Sequence, residues 1–216
     1  MRGPEMLQPP KEGNAAWDRH YGREKSRQSY PDENLVRLLG AIEPGPALDF
    51  GCGSGRHLVL LSELGFGPLY GADASAAARE LSKESVFEAR VLTPEQVRDQ
   101  IAPGTLSVAI VWGVLHYNSA EVQSELLALL AAKLSPEAPL LGTLRSKNDT
   151  HYTTNSDISA APIQFFDERE ARDLLRQHFQ EVELGYIERT PIGQLDRRIC
   201  HWFFRARNPV ASGAAA

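Results

Sequence analysis

The chain has 216 residues, of which 42% are hydrophobic and 24% are charged, and its net charge at pH 7 is −5. That length is enough for one domain with a full core and too short for two ordinary domains. The acidic balance argues against a basic surface that binds phosphate backbones without sequence preference, so no nucleic acid partner is expected.

Strand-like and helix-like segments alternate along the chain after a Pro- and Gly-containing opening at residues 1–14, which is expected to be a disordered tail. Helices are predicted at 31–39, 56–64, 76–85, 94–101, 121–134 and 168–178. Strands are predicted at 47–50, 69–72, 87–92, 106–112, 140–144, 182–187 and 199–206. This alternation is typical of an α/β protein with a mainly parallel sheet covered on both faces.

The end of the chain departs from this pattern. Residues 145–161 are polar and helix-poor, so we expect a long loop, and such loops are often functional. The last two strands are joined by a turn around Gly193, which favours a hairpin with one strand antiparallel to the rest. The domain is therefore predicted at residues 15–209, with a flexible tail at 210–216.

Neither a targeting segment nor a metal site is predicted. The first residues have no apolar core of signal-peptide length, and no run of 18 apolar residues occurs. Cys52 and Cys200 lie far apart without metal-ligand spacing, which is typical of free thiols in a cytoplasmic protein. We therefore expect a cytoplasmic monomer or homodimer with no membrane partner.

The most informative segment is a glycine-rich turn. A predicted buried strand leads into Gly51, Gly53 and Gly55 and then into a predicted helix. Glycine permits positive φ and the close approach of a ligand, while the free N–H groups at a helix start favour anionic or polar groups. The spacing is G-x-G-x-G, which differs from the G-x-G-x-x-G of dinucleotide-binding folds. The turn therefore predicts a nucleotide-like ligand at the carboxyl edge of the sheet.

Two carboxylates narrow the choice of ligand. Asp49 precedes the first glycine by two positions, where it would repel a pyrophosphate and suit an ammonium group. Asp73 ends the second predicted strand, 22 residues after Gly51, and has the right reach to accept hydrogen bonds from a ribose diol. The pair indicates a nucleoside ligand that carries an amino group.

The segments ALDFGCGSGRH at 47–57 and YGADAS at 70–75 resemble the first two motifs of class I S-adenosylmethionine-dependent methyltransferases. The resemblance extends over about residues 17–209, through WDRHYGREKSRQSYPDENLVRLL, IVWGVLHY, IERT and RICHWFFRARNP. It implies a Rossmann-like three-layer α/β sandwich with a seven-stranded, mostly parallel sheet and a C-terminal antiparallel hairpin. It also implies transfer of a methyl group from S-adenosyl-L-methionine to a small-molecule substrate.

The resemblance assigns the expected cofactor contacts. They are Asp49 for the ammonium group, Gly51, Cys52, Gly53 and Gly55 in the turn, Asp73 for the ribose, Ala74 at the adenine, and Trp112 and Gly113 near the sulfonium. Many relatives have an acidic residue after the third strand that binds the adenine amino group. This chain has none there, so the backbone of Leu92 or the side chain of Thr93 is expected to substitute.

The acceptor side is predicted less completely. His116 follows the fourth strand and is the candidate general base if the acceptor is a hydroxyl group, whereas a thiol or an amine needs no strong base. Arg145 ends a strand and could pair with an anionic group of the substrate. The full set of expected substrate contacts is Tyr21, Tyr30, Tyr117, Arg145, His151 and Tyr152. The alternative is ordinary packing for Tyr21 and Tyr30, and a solvated insertion for the loop that contains His151 and Tyr152.

Three other functions are weighed against methyl transfer. Enzymes that transfer an aminopropyl group from a related donor usually show an acidic motif after the fourth strand, where this chain has Trp112 to Tyr117. An NAD-dependent oxidoreductase is disfavoured by the glycine spacing. A non-catalytic binding subunit with the same fold stays open, and so does the acceptor atom, which could be oxygen, nitrogen or sulfur.

Overall fold

The computed structural model describes residues 11–24, 27–154 and 163–210. They form two compact units, the first ending at Ser107 and the second beginning at Val108. Residues 1–10 of the predicted N-terminal tail lie outside the described residues. Residues 11–14, the rest of that tail, belong to a helix. Most of the predicted C-terminal tail, 211–216, also lies outside the described residues. Within the described ranges, no helix is both long and apolar enough to cross a membrane.

The first unit alternates helices with three parallel strands. Its elements are α1 (Lys11–Tyr21), α2 (Glu33–Leu39), β1 (Ala47–Phe50), α3 (Arg56–Glu63), β2 (Leu69–Ala72), α4 (Ala76–Ser85), β3 (Arg90–Leu92) and α5 (Pro94–Gln100). The strands lie in the order β3-β2-β1. Phe50 is in register with Ala72, and Ala72 with Leu92, so the three strands end level. The segments that follow them therefore meet at one edge of this sheet.

Burial and capping explain these elements. Every residue of β1 is buried, as expected for a strand covered on both faces. Leu58 and Leu61 give α3 a fully buried apolar side. Ser75 caps α4 by accepting a hydrogen bond from the N–H of Ala78, and Thr93 caps α5 in a reciprocal box with Gln96. Such caps satisfy N–H groups that the helix itself leaves without partners.

The second unit contains the antiparallel hairpin. Its elements are β4 (Val108–Val111), a 3₁₀ turn (Leu115–Tyr117), α6 (Ala120–Lys133), β5 (Leu140–Ser146), α7 (Thr150–Thr154), β6 (Phe165–Phe166), α8 (Glu168–Arg176), β7 (Phe179–Arg189) and β8 (Ile199–Pro209). Its strands lie in the order β4-β5-β8-β7, and β6 pairs with the end of β5. β4 and β6 run parallel to β5, whereas β8 runs antiparallel to both β5 and β7. The predicted hairpin is confirmed.

The structure corrects several boundaries. The third strand begins at Arg90 instead of residue 87, because Phe87 is 97% exposed and contributes nothing to the core. The predicted loop at 145–161 is wrong in two places, since β5 continues through Ser146 and residues 150–154 form α7; residues 155–162 lie outside the described residues. β5 extends because Arg145 pairs in register with His201 of β8 and Phe165 of β6. The two-residue β6 adds an eighth strand to the seven predicted.

Candidate functional site

The glycine-rich turn of the first unit has a backbone that only glycine adopts readily. Gly51, Gly53 and Gly55 have φ of 81°, 55° and 85°. The N–H groups of Gly51 and Cys52 both donate to the carbonyl of Ala72 at the end of β2, at 2.6 and 3.1 Å. Gly55 precedes α3 without a side-chain cap, so the first N–H groups of α3 receive no capping side chain. The uncapped N–H groups at the start of α3 therefore lie directly after the turn that follows β1.

Asp49 is a buried carboxylate near the end of the strand that leads into the glycine-rich turn. It lies in β1, is 1% exposed, and neither of its side-chain oxygens has a hydrogen-bond partner among the described residues. Nδ1 of His57 lies 3.8 Å from Oδ1 of Asp49. Burying a carboxylate without hydrogen bonds costs several kcal/mol, on the order of what a specific cationic ligand can return. The residue therefore fits the predicted ammonium contact.

Asp73 links the turn to α4. Its Oδ2 accepts a hydrogen bond from the N–H of Gly53 at 3.0 Å, and its Oδ1 accepts one from the N–H of Ser75 at 2.9 Å. Burial raises the pKa of Asp73 to about 6, against the effect of these two hydrogen bonds, and the nearby Asp49 raises it further. A carboxylate oxygen can accept two hydrogen bonds, so each oxygen keeps one position for a ligand hydroxyl.

Tyr21 lies against the turn because α1 is anchored to α4. Asp18 accepts a hydrogen bond from Oγ of Ser75 at 2.5 Å and one from the N–H of Ala77 at 3.3 Å. One turn later, the hydroxyl of Tyr21 is so close to Gly53 that a Cβ there would lie 2.5 Å from it. Burial, and then the charges of Asp73 and Asp49, raise the pKa of Tyr21, so its hydroxyl stays protonated. The structure therefore places Tyr21 with the predicted cofactor residues.

The other cofactor residues predicted in this unit have local partners. The carbonyl of Leu92 accepts a hydrogen bond from the N–H of Asp73, and Thr93 is engaged in the cap of α5. The carbonyl of Ala74 accepts from Nη1 of Arg79 at 3.0 Å. Burial raises the pKa of Cys52 well above its ordinary value, and Oγ of Ser82 donates to its Sγ. The adenine contacts of Leu92 and Thr93 stay predictions.

In the second unit, the segment after β4 forms a tight turn that buries His116. The N–H of Gly113, which has φ of 76°, donates to Oγ1 of Thr143 on β5 at 2.9 Å. The Nδ1 atom of His116 is buried and has no hydrogen-bond partner within the described ranges. Burial, reinforced by His201 and Arg145, lowers the pKa of His116 to about 3, so its ring is neutral at neutral pH. Trp112 and Tyr117, half-buried, flank this turn.

Arg145 and His151 meet at Asp149, a residue that the sequence analysis did not single out. Asp149 is buried, and its Oδ2 lies 2.8 Å from Nε of Arg145 and 2.9 Å from the N–H of Cys200. Its Oδ1 lies 2.9 Å from the N–H of His151 and 2.8 Å from Nδ1 of the same residue. Nη1 of Arg145 also lies 3.4 Å from Nε2 of His201. The charge of Arg145, predicted to meet a substrate anion, is thus met within the protein.

The remaining predicted contacts are at the surface. Tyr30 is 86% exposed, and its backbone carbonyl accepts a hydrogen bond from Arg56. Tyr152 is 49% exposed and packs its ring 5.4 Å from that of Phe165. Arg197 is a residue that the sequence analysis missed: it lies in the turn between β7 and β8 and donates to Nε2 of His151 at 3.0 Å. No sequence signal marks Arg197, since the turn lies 46 residues from its partner.

Comparison with known proteins places most of the chain in one family. The family model described as "Methyltransferase domain" matches residues 23–187. An indolepyruvate C-methyltransferase from Streptomyces griseus is 42% identical over 62 residues, which are 28% of this chain and 19% of that protein. The chain therefore spans about a fifth of the length of the curated relative that it matches.

Solved structures share the fold over almost the whole chain. A SAM-dependent methyltransferase from Thermotoga maritima, described as a possible histamine N-methyltransferase, has a TM-score of 0.68 and 14% identity, covering 90% of this chain and 99% of that one. A protein from work on converting a disulfide bond into a thioacetal group during echinomycin biosynthesis has a TM-score of 0.69 and 16% identity, covering 93% and 94%. The predicted Rossmann-like α/β fold is confirmed.

Proposed function

This chain belongs to the methyltransferase domain family, and from that membership we propose that it transfers the methyl group of S-adenosylmethionine to a small-molecule acceptor. The observation that carries the proposal is the buried carboxylate of Asp49, whose oxygens have no hydrogen-bond partner, beside the turn of three glycines. A neutral or anionic nucleotide would leave that carboxylate without a partner, whereas the ammonium group of the methyl donor would supply one.

In this proposal, each residue of the first-unit site would contact a different part of the cofactor. Asp49 would hold the ammonium group, the turn would lie under the methionine part, and Asp73 would accept from the ribose hydroxyls. Tyr21 would cover the turn and exclude water from it. When bound, the cofactor supplies a methyl group on a positively charged sulfur, and that charge is lost as the methyl group leaves. Catalysis can therefore come largely from positioning and from exclusion of water.

On the acceptor side, we keep the sequence-based assignments as proposals. The neutral ring of His116 has an Nδ1 that can accept the hydrogen of an acceptor hydroxyl group. Tyr117 and His151 would contact the acceptor, and Trp112 and Gly113 the cofactor. A non-catalytic binding subunit is the alternative function, since binding of the donor alone would use the same first-unit residues.

Calorimetry with S-adenosylmethionine and S-adenosylhomocysteine tests the proposal. We expect both to bind the wild-type protein, and Asp49→Asn to weaken the binding by about tenfold or more, because it removes a charge-assisted hydrogen bond worth about 1.5–3 kcal/mol. Glu63→Gln, on the exposed end of α3, is the matched control and should bind like the wild type. Binding of neither compound to the wild type would refute the proposal.

An acceptor screen then separates the enzyme from the binding subunit. Indolepyruvate and histamine are its first members, because they are the acceptors in the names of the similar proteins and they differ in charge. Formation of S-adenosylhomocysteine with any acceptor establishes transfer. Donor binding without turnover across oxygen, nitrogen, sulfur and carbon acceptors would favour the binding subunit.

A further inference from the structure

Arg197 carries a guanidinium that has no acidic partner in the part of the chain that the structure describes. Its Nη2 donates to Nε2 of His151 at 3.0 Å, and its Nη1 donates to Oε1 of Gln194 at 3.3 Å. Both acceptors are uncharged, and among the described residues no carboxylate lies within ion-pair distance of Arg197. A guanidinium has five N–H donors, so three of those on Arg197 are uncommitted.

His151 holds this guanidinium in place. Its Nδ1 lies 2.8 Å from Oδ1 of the buried Asp149, while the contact from Nη2 of Arg145 to the same nitrogen is longer, at 3.4 Å. The carboxylate can only accept, so the shorter contact fixes the proton on Nδ1. Nε2 is then the free acceptor and meets the N–H of Arg197. The ring is itself buried, which restricts the geometry of the contact.

The negative charge of Asp149 is already matched and does not compensate Arg197. Burial raises the pKa of Asp149, but hydrogen bonds from Cys200, His151 and Arg145 outweigh it and leave the pKa below its ordinary value. Asp149 is thus ionised and paired with Arg145, whose Nε is 2.8 Å away. Among the described residues, the guanidinium of Arg197 therefore has no carboxylate partner, whereas that of Arg145 is paired with Asp149.

We propose that Arg197 binds a carboxylate group of the methyl acceptor. The uncommitted donors of the guanidinium match the two oxygens of a carboxylate. His151 acts as the positioning residue, since it orients the guanidinium without being needed to touch the carboxylate. The identity of this ligand as a methyl acceptor rests on the proposed function, but the binding of the anion does not.

The test is an NMR titration of the full chain, with saturating S-adenosylhomocysteine, using acetate and phenylacetate. Acetamide and phenylacetamide are the neutral counterparts. We expect saturable shifts of the Arg197 and His151 signals with the two carboxylates and none with the amides. Arg197→Gln should weaken carboxylate binding at least about tenfold, because it removes the guanidinium that would pair with the carboxylate. Arg198→Gln, on the exposed neighbour in the same turn, should bind like the wild type.

Three results would overturn the proposal: no saturable shift in the wild type, equal binding of acid and amide, or unchanged binding in Arg197→Gln. Inorganic phosphate is titrated in parallel, and binding as tight as that of the carboxylates would overturn the preference for a carboxylate. Circular dichroism and a melting curve check that both variants fold. S-Adenosylhomocysteine binding is measured on the same samples as a separate readout. If this compound does not bind, the proposed function is refuted, but carboxylate binding at Arg197 is still tested by the titration.

Discussion

At the scale of single residues, the buried polar groups without partners carry most of the functional information. Asp49 and His116 both have side-chain atoms that are buried and make no hydrogen bond. Such atoms cost stability in the free protein, so a ligand that pairs with them gains more than it would from an exposed group. Arg145 shows the opposite case, because Asp149 already meets its charge.

The prediction at the scale of single residues concerns His116. A pKa of about 3 keeps the ring neutral but makes it a weak proton acceptor, so it should act mainly by accepting the hydrogen bond of an acceptor hydroxyl group. We expect His116→Ala to lower kcat by about tenfold to a hundredfold on a hydroxyl acceptor while leaving S-adenosylhomocysteine affinity unchanged. Steady-state kinetics and calorimetry measure the two effects. A kcat within a few-fold of the wild type would remove His116 from the reaction.

At the scale of elements, α1 is fixed to the first unit through its contact with α4. Asp18 bonds to the cap residue of α4, and this contact sets Tyr21 against Gly53. The sequence analysis predicted a tail up to residue 14 and named Tyr21 on resemblance alone. The helix could not be predicted from its own pattern, because what holds it is a hydrogen bond to a residue 57 positions later.

Removing this anchor should weaken cofactor binding. We expect Asp18→Ala to reduce the free energy of unfolding by about 0.5–2 kcal/mol and to raise the Kd for S-adenosylhomocysteine several-fold, because Tyr21 is no longer held over the turn. Asp32→Ala, which removes the cap of α2, is the matched control: it should lose similar stability at unchanged Kd. Hydrogen exchange should show faster exchange in α1 for Asp18→Ala alone. Equal Kd values for the two variants would contradict the anchoring role.

At the scale of the whole molecule, sequence reasoning succeeded where the cause is local and failed where it is distant. The ends of β1, β2 and α4 agree with their predicted bounds, since glycines, a buried apolar run and the cap residue Ser75 lie in the same short segments. The extension of β5 depends on β8, which begins more than 50 residues further along the chain. Asp149 follows Arg145 by only four residues, but it is held by the N–H of Cys200, 51 residues after it. The candidate site divides in the same way: Asp49 and Asp73 could be found from the sequence, and Arg197 could not.

The titration of Asp73 affects both the free energy of unfolding and the binding of the ligand. The pKa of Asp73 is about 6 in the folded protein, above its ordinary value of 3.8, so the free folded state binds more protons than the unfolded state between these values. Its contribution to stability is therefore greatest at acid pH and is lost as the pH rises through about 6. A ligand that donates hydrogen bonds to the carboxylate binds the ionised form, so its binding has the opposite dependence on pH.

We accordingly expect S-adenosylhomocysteine to raise the Tm at pH 7.5 by about 5–10 °C at a concentration of 100 Kd, corresponding to about 2.7 kcal/mol. At pH 5 the same concentration should stabilise less, because Asp73 is then protonated and must lose its proton before the ligand binds, which weakens binding about tenfold per pH unit below its pKa. Differential scanning fluorimetry at both pH values measures the shifts. Asp73→Asn, which cannot ionise, should show a smaller shift that is alike at the two pH values. A larger shift at pH 5 than at pH 7.5 in the wild type would show that the ionised carboxylate of Asp73 does not bind the ligand.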